Sequence, residues 1–296
     1  MLDRRDFIRL AAAAAWIARS RRLEARTDDM LTRPIPKSGE ALPVIGLETY
    51  QTFDVSPGQR EPLVPVLRRF FELGGRVIDS SPMYGQSEAA VGDVLAKLGR
   101  PKVFVATKVW TTGKAEGEAQ MAESTRRLGG KVDLMQIHNL VDWKTQLTTL
   151  RDMKAKGTIR YIGITHYGTS AFGEIEEILK GGEIDFIQIP YSIVLCDAEK
   201  RILPAAAQHR VAVLVMRPFE KGELIGRMKG KPLPAWAQEL RCVTWAQLFL
   251  KFIIGHPAVT APIPATANPV HLEDNMAAGR GPLPTEEQRR KIAALV

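Results

Sequence analysis

Four residues of this chain have the means to move a proton together: Asp79, Tyr84, Lys108 and His138. Asp79 ends an apolar run and opens the turn Ser80-Ser81-Pro82, with Tyr84 on the loop beyond it. Lys108 and His138 each close an apolar run of their own. A phenol with an ordinary pKa of about 10 is a poor acid at neutral pH. An ammonium beside it favours the phenolate, so Lys108 is expected to lower the Tyr84 value while Asp79 holds the lysine in place. His138 can then bond and orient a carbonyl oxygen while Tyr84 delivers the proton. No side chain reduces a carbonyl, so this chemistry requires a hydride carrier. Singly, each residue has an ordinary use: a turn for Asp79, snorkelling for Lys108, a bonded core imidazole for His138, packing for Tyr84. Only their convergence in space makes a site.

That convergence depends on the elements that carry them. Short apolar, β-branched runs occur at Val44–Thr49, Arg76–Asp79, Val103–Lys108 and Val132–His138. They continue at Arg160–Thr165, Ile184–Ile189, Val211–Met216 and Val259–Ile263. Helical periodicity fills the intervals, with Leu63, Leu67, Phe70 and Phe71 as one stripe and Val91, Val94, Leu95 and Leu98 as the next. Ser87 is expected to cap the second of these helices, with Glu88 in its first turn. Runs that are apolar throughout suit parallel strands covered by helices. Eight such units predict an α/β chain folded as a (β/α)8 TIM barrel, residues 31–296, whose strand ends gather at one mouth. A doubly wound sheet is the alternative, but no G-x-G-x-x-G follows any strand. The G-x-S-x-G elbow and the P-loop are absent as well.

Bulk composition excludes more than it assigns. The formal net charge of +8 is spread along the chain, without interleaved aromatics, so no nucleic acid partner is expected. The five histidines show no HxxxH or HExxH pairing, and no metal is expected. Cys196 and Cys242 form no disulfide framework; one bond between them is open, and two inert thiols are the simpler reading.

Residues 1–30 read as an address. Paired Arg4 and Arg5 precede Asp6-Phe7-Ile8-Arg9 and a weakly apolar run, Leu10–Ala18. Nine helical residues rise about 13 Å, well short of the roughly 30 Å membrane core. The stretch resembles a twin-arginine export signal and linker, which implies the twin-arginine export machinery as a partner and a periplasmic or exported location. The cleavage site is not defined by the sequence.

Five stretches together resemble the aldo-keto reductase family: IDSSPMYGQSE, VFVATKVW, DLMQIHNL, KGTIRYIGIT and IPATANPVHLEDN, the last at 263–275. They lie in order, at barrel spacing, across roughly residues 41–296. The resemblance implies an NAD(P)H-dependent oxidoreductase that reduces an aldehyde or ketone, with Asp79, Tyr84, Lys108 and His138 catalytic and Tyr84 the general acid. It implies that Gln188 and Thr165 bind the nicotinamide carboxamide, with His166 where the family has an asparagine. Thr49 and Tyr50 match positions beside the nicotinamide, and Thr266, Asp274 and Asn275 match the adenosine end. Met216 stands where a tyrosine stacks on the nicotinamide, and Arg217 where a serine is usual. Ala265 and His271 stand where a lysine and an arginine grip the 2′-phosphate. Glu48 replaces a usual glycine. NADP(H) is the favoured cofactor, with NAD(H) open, and Trp110 lines the pocket of a small carbonyl substrate. The competing reading is an exported cofactor-binding redox sensor or auxiliary subunit with little turnover.

Overall fold

The computed structural model of the protein describes residues 29–296. The expected export signal therefore lies outside the described residues, apart from its last two positions. Eight parallel strands form one sheet in strict chain order. They are β3 (Leu47–Glu48), β4 (Val77–Asp79), β5 (Phe104–Val109) and β6 (Leu134–Ile137), then β7 (Tyr161–Thr165), β8 (Phe186–Pro190), β9 (Ala212–Met216) and β10 (Ala261–Pro262). Each overlaps one of the eight runs read from the sequence, and helices fill the intervals. The fold is the (β/α)8 barrel.

Strand periodicity divides the side chains between two cores. Val105, Val109, Met135, Ile137, Ile162, Ile164, Ile187 and Ile189 belong to the large outer core beneath the helices. The opposite parity fills the barrel: Val77, Phe104, Ala106, Leu134, Tyr161, Phe186, Ala212, Leu214 and Ala261. The rings of Phe104, Tyr161 and Phe186 lie 5.5–5.8 Å apart in this inner cluster. Continuing that parity toward the strand ends gives Asp79, Lys108, Gln136, Thr165, Gln188 and Met216. The polar ring at the mouth is thus the top layer of the same stack.

The floor of the barrel is closed by an antiparallel hairpin, β1 (Thr32–Pro34) with β2 (Ala41–Pro43), which the sequence reading did not predict. Ile35 and Leu42 of this hairpin join the inner core. Lys37 donates to the carbonyls of Gly182 (2.7 Å) and Ile184 (2.6 Å), and Arg33 to that of His256 (2.6 Å).

The barrel closes between its first and last strands through a narrow seam. Gly46 N–H donates to Pro262 O at 2.9 Å, and Glu48 bridges Ala265. A Cβ on Gly46 would lie 2.8 Å from Ile263 Cγ2, so the seam requires glycine there.

One local expectation fails. Ser87 is the first residue inside the helix Ser87–Lys97, and Gln86 holds the capping position. The Ser87 hydroxyl donates instead to Thr49 O (3.2 Å), tying the helix to the loop after β3. Glu88 is buried, accepting from Thr107 (2.6 Å) and Ser124 (3.1 Å). Both cysteines are free thiols, and burial pushes each up to about 11.

Candidate active site

Asp79, Lys108 and Gln136 come from the adjacent strands β4, β5 and β6, and their side chains meet in the closed interior. Lys108 Nζ donates to Asp79 Oδ2 at 2.5 Å and to Ser80 O at 2.7 Å, with both ionic side chains fully buried. Taking two charges out of water is costly unless their remaining bonds are also made. Asp79 meets that condition through two amides: Gln136 Nε2 reaches Oδ1 at 2.8 Å and Gln188 Nε2 reaches Oδ2 at 3.2 Å. Gln136 was missed in the sequence. Its signal was its place two residues before His138, which puts both on one face of the strand.

Tyr84 stands over this pair. The Lys108 ammonium lies 4.7 Å from the centre of its ring, and the Tyr50 ring packs 5.0 Å away. The phenol hydroxyl donates to Glu48 Oε1 at 3.1 Å. The ammonium therefore sits under the ring instead of bonding the hydroxyl. The expected acidification of Tyr84 is accordingly corrected. Burial, reinforced by the negative charges of Glu48 and Asp79 and by the bond to Glu48, pushes the phenol well above its ordinary value. Tyr84 is held as a protonated donor.

Glu48 is itself perturbed. Burial pushes its carboxyl up to about 7; Lys108 opposes that shift, Asp79 adds to it and the Tyr84 bond opposes it. His138 moves the other way, down to about 3, through burial and then the nearby Lys108 and His166. It is a neutral imidazole at physiological pH. Ser81 Oγ lies 3.1 Å from His138 Nδ1 and accepts from Met83 N–H at 3.3 Å. In the tautomer in which the serine proton goes to Nδ1, Nε2 carries the ring hydrogen and can donate into the cleft. The His138 ring is 6.1 Å from Tyr84 and 6.3 Å from Trp110, whose 43% exposure sets it at the open edge of the mouth. A neutral N–H donor and a protonated phenol beside one cleft can hold and protonate a carbonyl oxygen.

The remaining predicted positions divide by location. Thr49 is fully buried, and its hydroxyl is used on Asp79 O (3.1 Å) and Ser80 Oγ (2.9 Å), so it fixes the loop that carries the site. Tyr50 is partly exposed above it. Thr165 Oγ1 accepts from Asn139 N–H at 3.4 Å, and His166 Nδ1 accepts from Gly168 N–H at 3.0 Å with its ring stacked on Tyr167. Met216 ends β9 at the mouth. Arg217 is paired with Glu220 at 2.8 Å, and its backbone is in the left-handed region.

Thr266, His271, Asp274 and Asn275 lie on the segment after β10, whose Ala265 bridges Glu48. Asp274 accepts from Thr244 Oγ1 (2.9 Å) and Gln247 Nε2 (2.7 Å), and it lines a cavity of about 410 Å³ with Trp245, Met228 and Lys231. Thr266 Oγ1 accepts from Asn268 N–H at 3.1 Å. Asn275 is buried, and His271 is exposed.

Unsatisfied acceptors in the mouth bear on whether a nicotinamide fits there. Gln188 Oε1 and Gln136 Oε1 are buried and have no hydrogen-bond donor among the described residues. Buried acceptors rarely stay unpaired. The Gln188 oxygen, at the mouth end of β8, suits an amide N–H such as a carboxamide offers.

Comparison with known proteins gives a consistent result. A family model described as "Aldo/keto reductase family" matches residues 44–295. Methylglyoxal reductase YeaE of Escherichia coli (strain K12) is 29% identical over 258 residues, covering 84% of this chain and 89% of the relative. The NADH-specific methylglyoxal reductase of the same organism is 28% identical, covering 60% and 63% of the two chains. A crystal structure of an aldo/keto reductase from Klebsiella pneumoniae in complex with NADP and acetate superposes with a TM-score of 0.76 at 26% identity. It covers 88% of this chain and 94% of that one.

Proposed function

The chain belongs to the aldo/keto reductase family and is an NAD(P)H-dependent carbonyl reductase, and from that premise we propose how its own residues divide the work. Tyr84 is the general acid that protonates the carbonyl oxygen. His138 orients that oxygen through its remaining N–H. Lys108 and Asp79 form the buried charged base on which the phenol rests. The observation that carries this reading is the Tyr84 ring held over the Lys108 ammonium, with the His138 ring 6.1 Å away across the cleft.

A bound reduced nicotinamide supplies the hydride. Gln188, Thr165 and His166 would hold its carboxamide, with Met216 and Tyr50 as neighbours of the ring; methionine offers a polarizable but less planar contact than tyrosine. Thr266, Asp274 and Asn275 would hold the adenosine end, and Arg217 would border the phosphates. Both named methylglyoxal reductases put 2-oxoaldehydes at the head of the substrate panel. Trp110 and Tyr50 give the entrance an aromatic rim suited to a small carbonyl compound. Steady consumption of NADPH or NADH with such aldehydes is the expected result. Cofactor binding without turnover across aldehydes, ketones and quinones would overturn it and favour the sensor reading.

Cofactor choice follows from Ala265 and His271, which offer neither the ammonium nor the bidentate guanidinium that suits a 2′-phosphate. NADPH and NADH are therefore expected to bind within about tenfold of each other. Installing Ala265→Lys with His271→Arg should tighten NADPH about tenfold or more and leave NADH nearly unchanged. Equal gains for both cofactors in a binding titration would show that the 2′-phosphate lies elsewhere.

We propose further that residues 1–30 act as a twin-arginine export signal, on the strength of the Arg4-Arg5-Asp6-Phe7-Ile8 pattern. Changing both arginines to lysine should retain the protein in the cytoplasm. A cytoplasmic location for the unaltered chain would refute the proposal.

A further inference from the structure

We propose that Glu48 is a fifth working group of the site, the relay through which the Tyr84 hydroxyl recovers its proton after each reduction. The inference rests on the reading of Tyr84 as the acid. Any such acid must be recharged, and the other groups around Tyr84 are poorly placed to do it. Lys108 and Asp79 are fully buried and bonded to each other. His138 is 6% exposed, and its Nδ1 is taken by Ser81. Tyr84 itself is 8% exposed.

Glu48 has what they lack. It ends β3 directly beside Asp79, and its carboxylate touches the phenol oxygen. The residue as a whole is partly exposed while its carboxyl is buried against Tyr84, so it runs between the phenol and the rim of the barrel. The titratable groups facing it are Lys108 from β5, Asp79 from β4 and Tyr84 from the loop after β4. Across the seam, its partner on the segment after β10 is Ala265, which does not titrate.

The proton balance is simple. The carbonyl carbon gains a C–H bond with the hydride supplied by the reduced nicotinamide. The carbonyl oxygen takes the Tyr84 proton as the phenol O–H bond breaks. The phenolate then takes the proton of the Glu48 carboxyl group, and the carboxylate regains one from water entering along the partly exposed side of the residue. Because the relay needs the carboxylic acid, turnover in the reducing direction should fall as pH rises through about 7, the value to which the fold raises Glu48.

Glu48→Gln keeps the size of the side chain and an oxygen that can accept from Tyr84, but it cannot pass a proton. Its kcat is expected to fall about tenfold and to lose the pH limb near 7, with cofactor affinity unchanged. Glu48→Gly should be slowed likewise and recover part of its rate with added acetate buffer. Infrared titration of the free wild-type enzyme should show a protonated carboxyl between pH 5 and 7 that is absent from Glu48→Gln. A wild-type rate and pH profile in Glu48→Gln, or a Glu48 fully ionised from pH 5 upward, would overturn the proposal. If Tyr84→Phe is inactive while Glu48→Gln is normal, the relay fails and the acid assignment stands. An active Tyr84→Phe would remove both.

Discussion

Tyr84→Phe is expected to lower carbonyl reduction by about 10²–10⁴-fold while the enzyme still folds and binds its nicotinamide cofactor. The substitution removes one oxygen and keeps the ring. The Lys108 ammonium keeps its place under the ring at 4.7 Å, and the Tyr50 ring keeps its contact at 5.0 Å. What disappears is the O–H that donates to Glu48. That bond favours the ionised form of Glu48, so its loss should push the carboxyl further toward neutrality and limit the cost of the orphaned acceptor. Rate and stability should therefore separate in this variant, with a large fall in kcat and a melting temperature close to wild type. Unchanged turnover with an aldehyde that the wild type reduces would refute the assignment of Tyr84.

Lys108→Met should behave in the opposite way, damaging fold and chemistry together. The methionine fills much of the lysine's volume but leaves the Asp79 carboxylate with only the Gln136 and Gln188 amides in a closed interior. Breaking a buried ion pair from one side typically costs about 3–5 kcal/mol. Turnover should fall at least about a hundredfold, because the phenol loses the cation beneath it. Adding Asp79→Asn to the same chain removes the stranded charge. The double variant should regain most of the stability and none of the activity. Denaturant unfolding of the two variants decides this: equal stabilities would mean that Asp79 is not ionised in the native state.

The fold was legible because barrel strands announce themselves twice, by apolar runs and by even spacing, and all eight runs correspond to strands. The convergence of Asp79, Lys108 and His138 was legible for the same reason, since each sits at or just past a strand end. The floor hairpin left no comparable trace. Its strands are three residues each, and both include proline, so neither length nor alternation marks them. The shift of Tyr84 could not be read from residue types. It depends on whether the hydroxyl meets an ammonium or a carboxylate, which is decided by the side-chain direction of Glu48 on the neighbouring strand. The family resemblance did mark Glu48 as unusual, since it leads one to expect glycine at that position. It could not show that this residue, not Lys108, receives the phenol hydrogen. Ser87 illustrates the same limit, because its hydroxyl turns away from its own helix to Thr49.

The narrow seam between β3 and β10 makes this barrel a hoop with a clasp. If the hoop springs open anywhere, it should do so where so few backbone bonds join the ends, and Glu48 stands on one side of that join with the 263–275 segment on the other. A nucleotide held by that segment would fasten the clasp from outside. At a hundred times its dissociation constant, a ligand specific to the folded state adds about 2.7 kcal/mol of stability. In this molecule the gain should concentrate at one joint, so that loading the cofactor also keeps the proton path through Glu48 aligned.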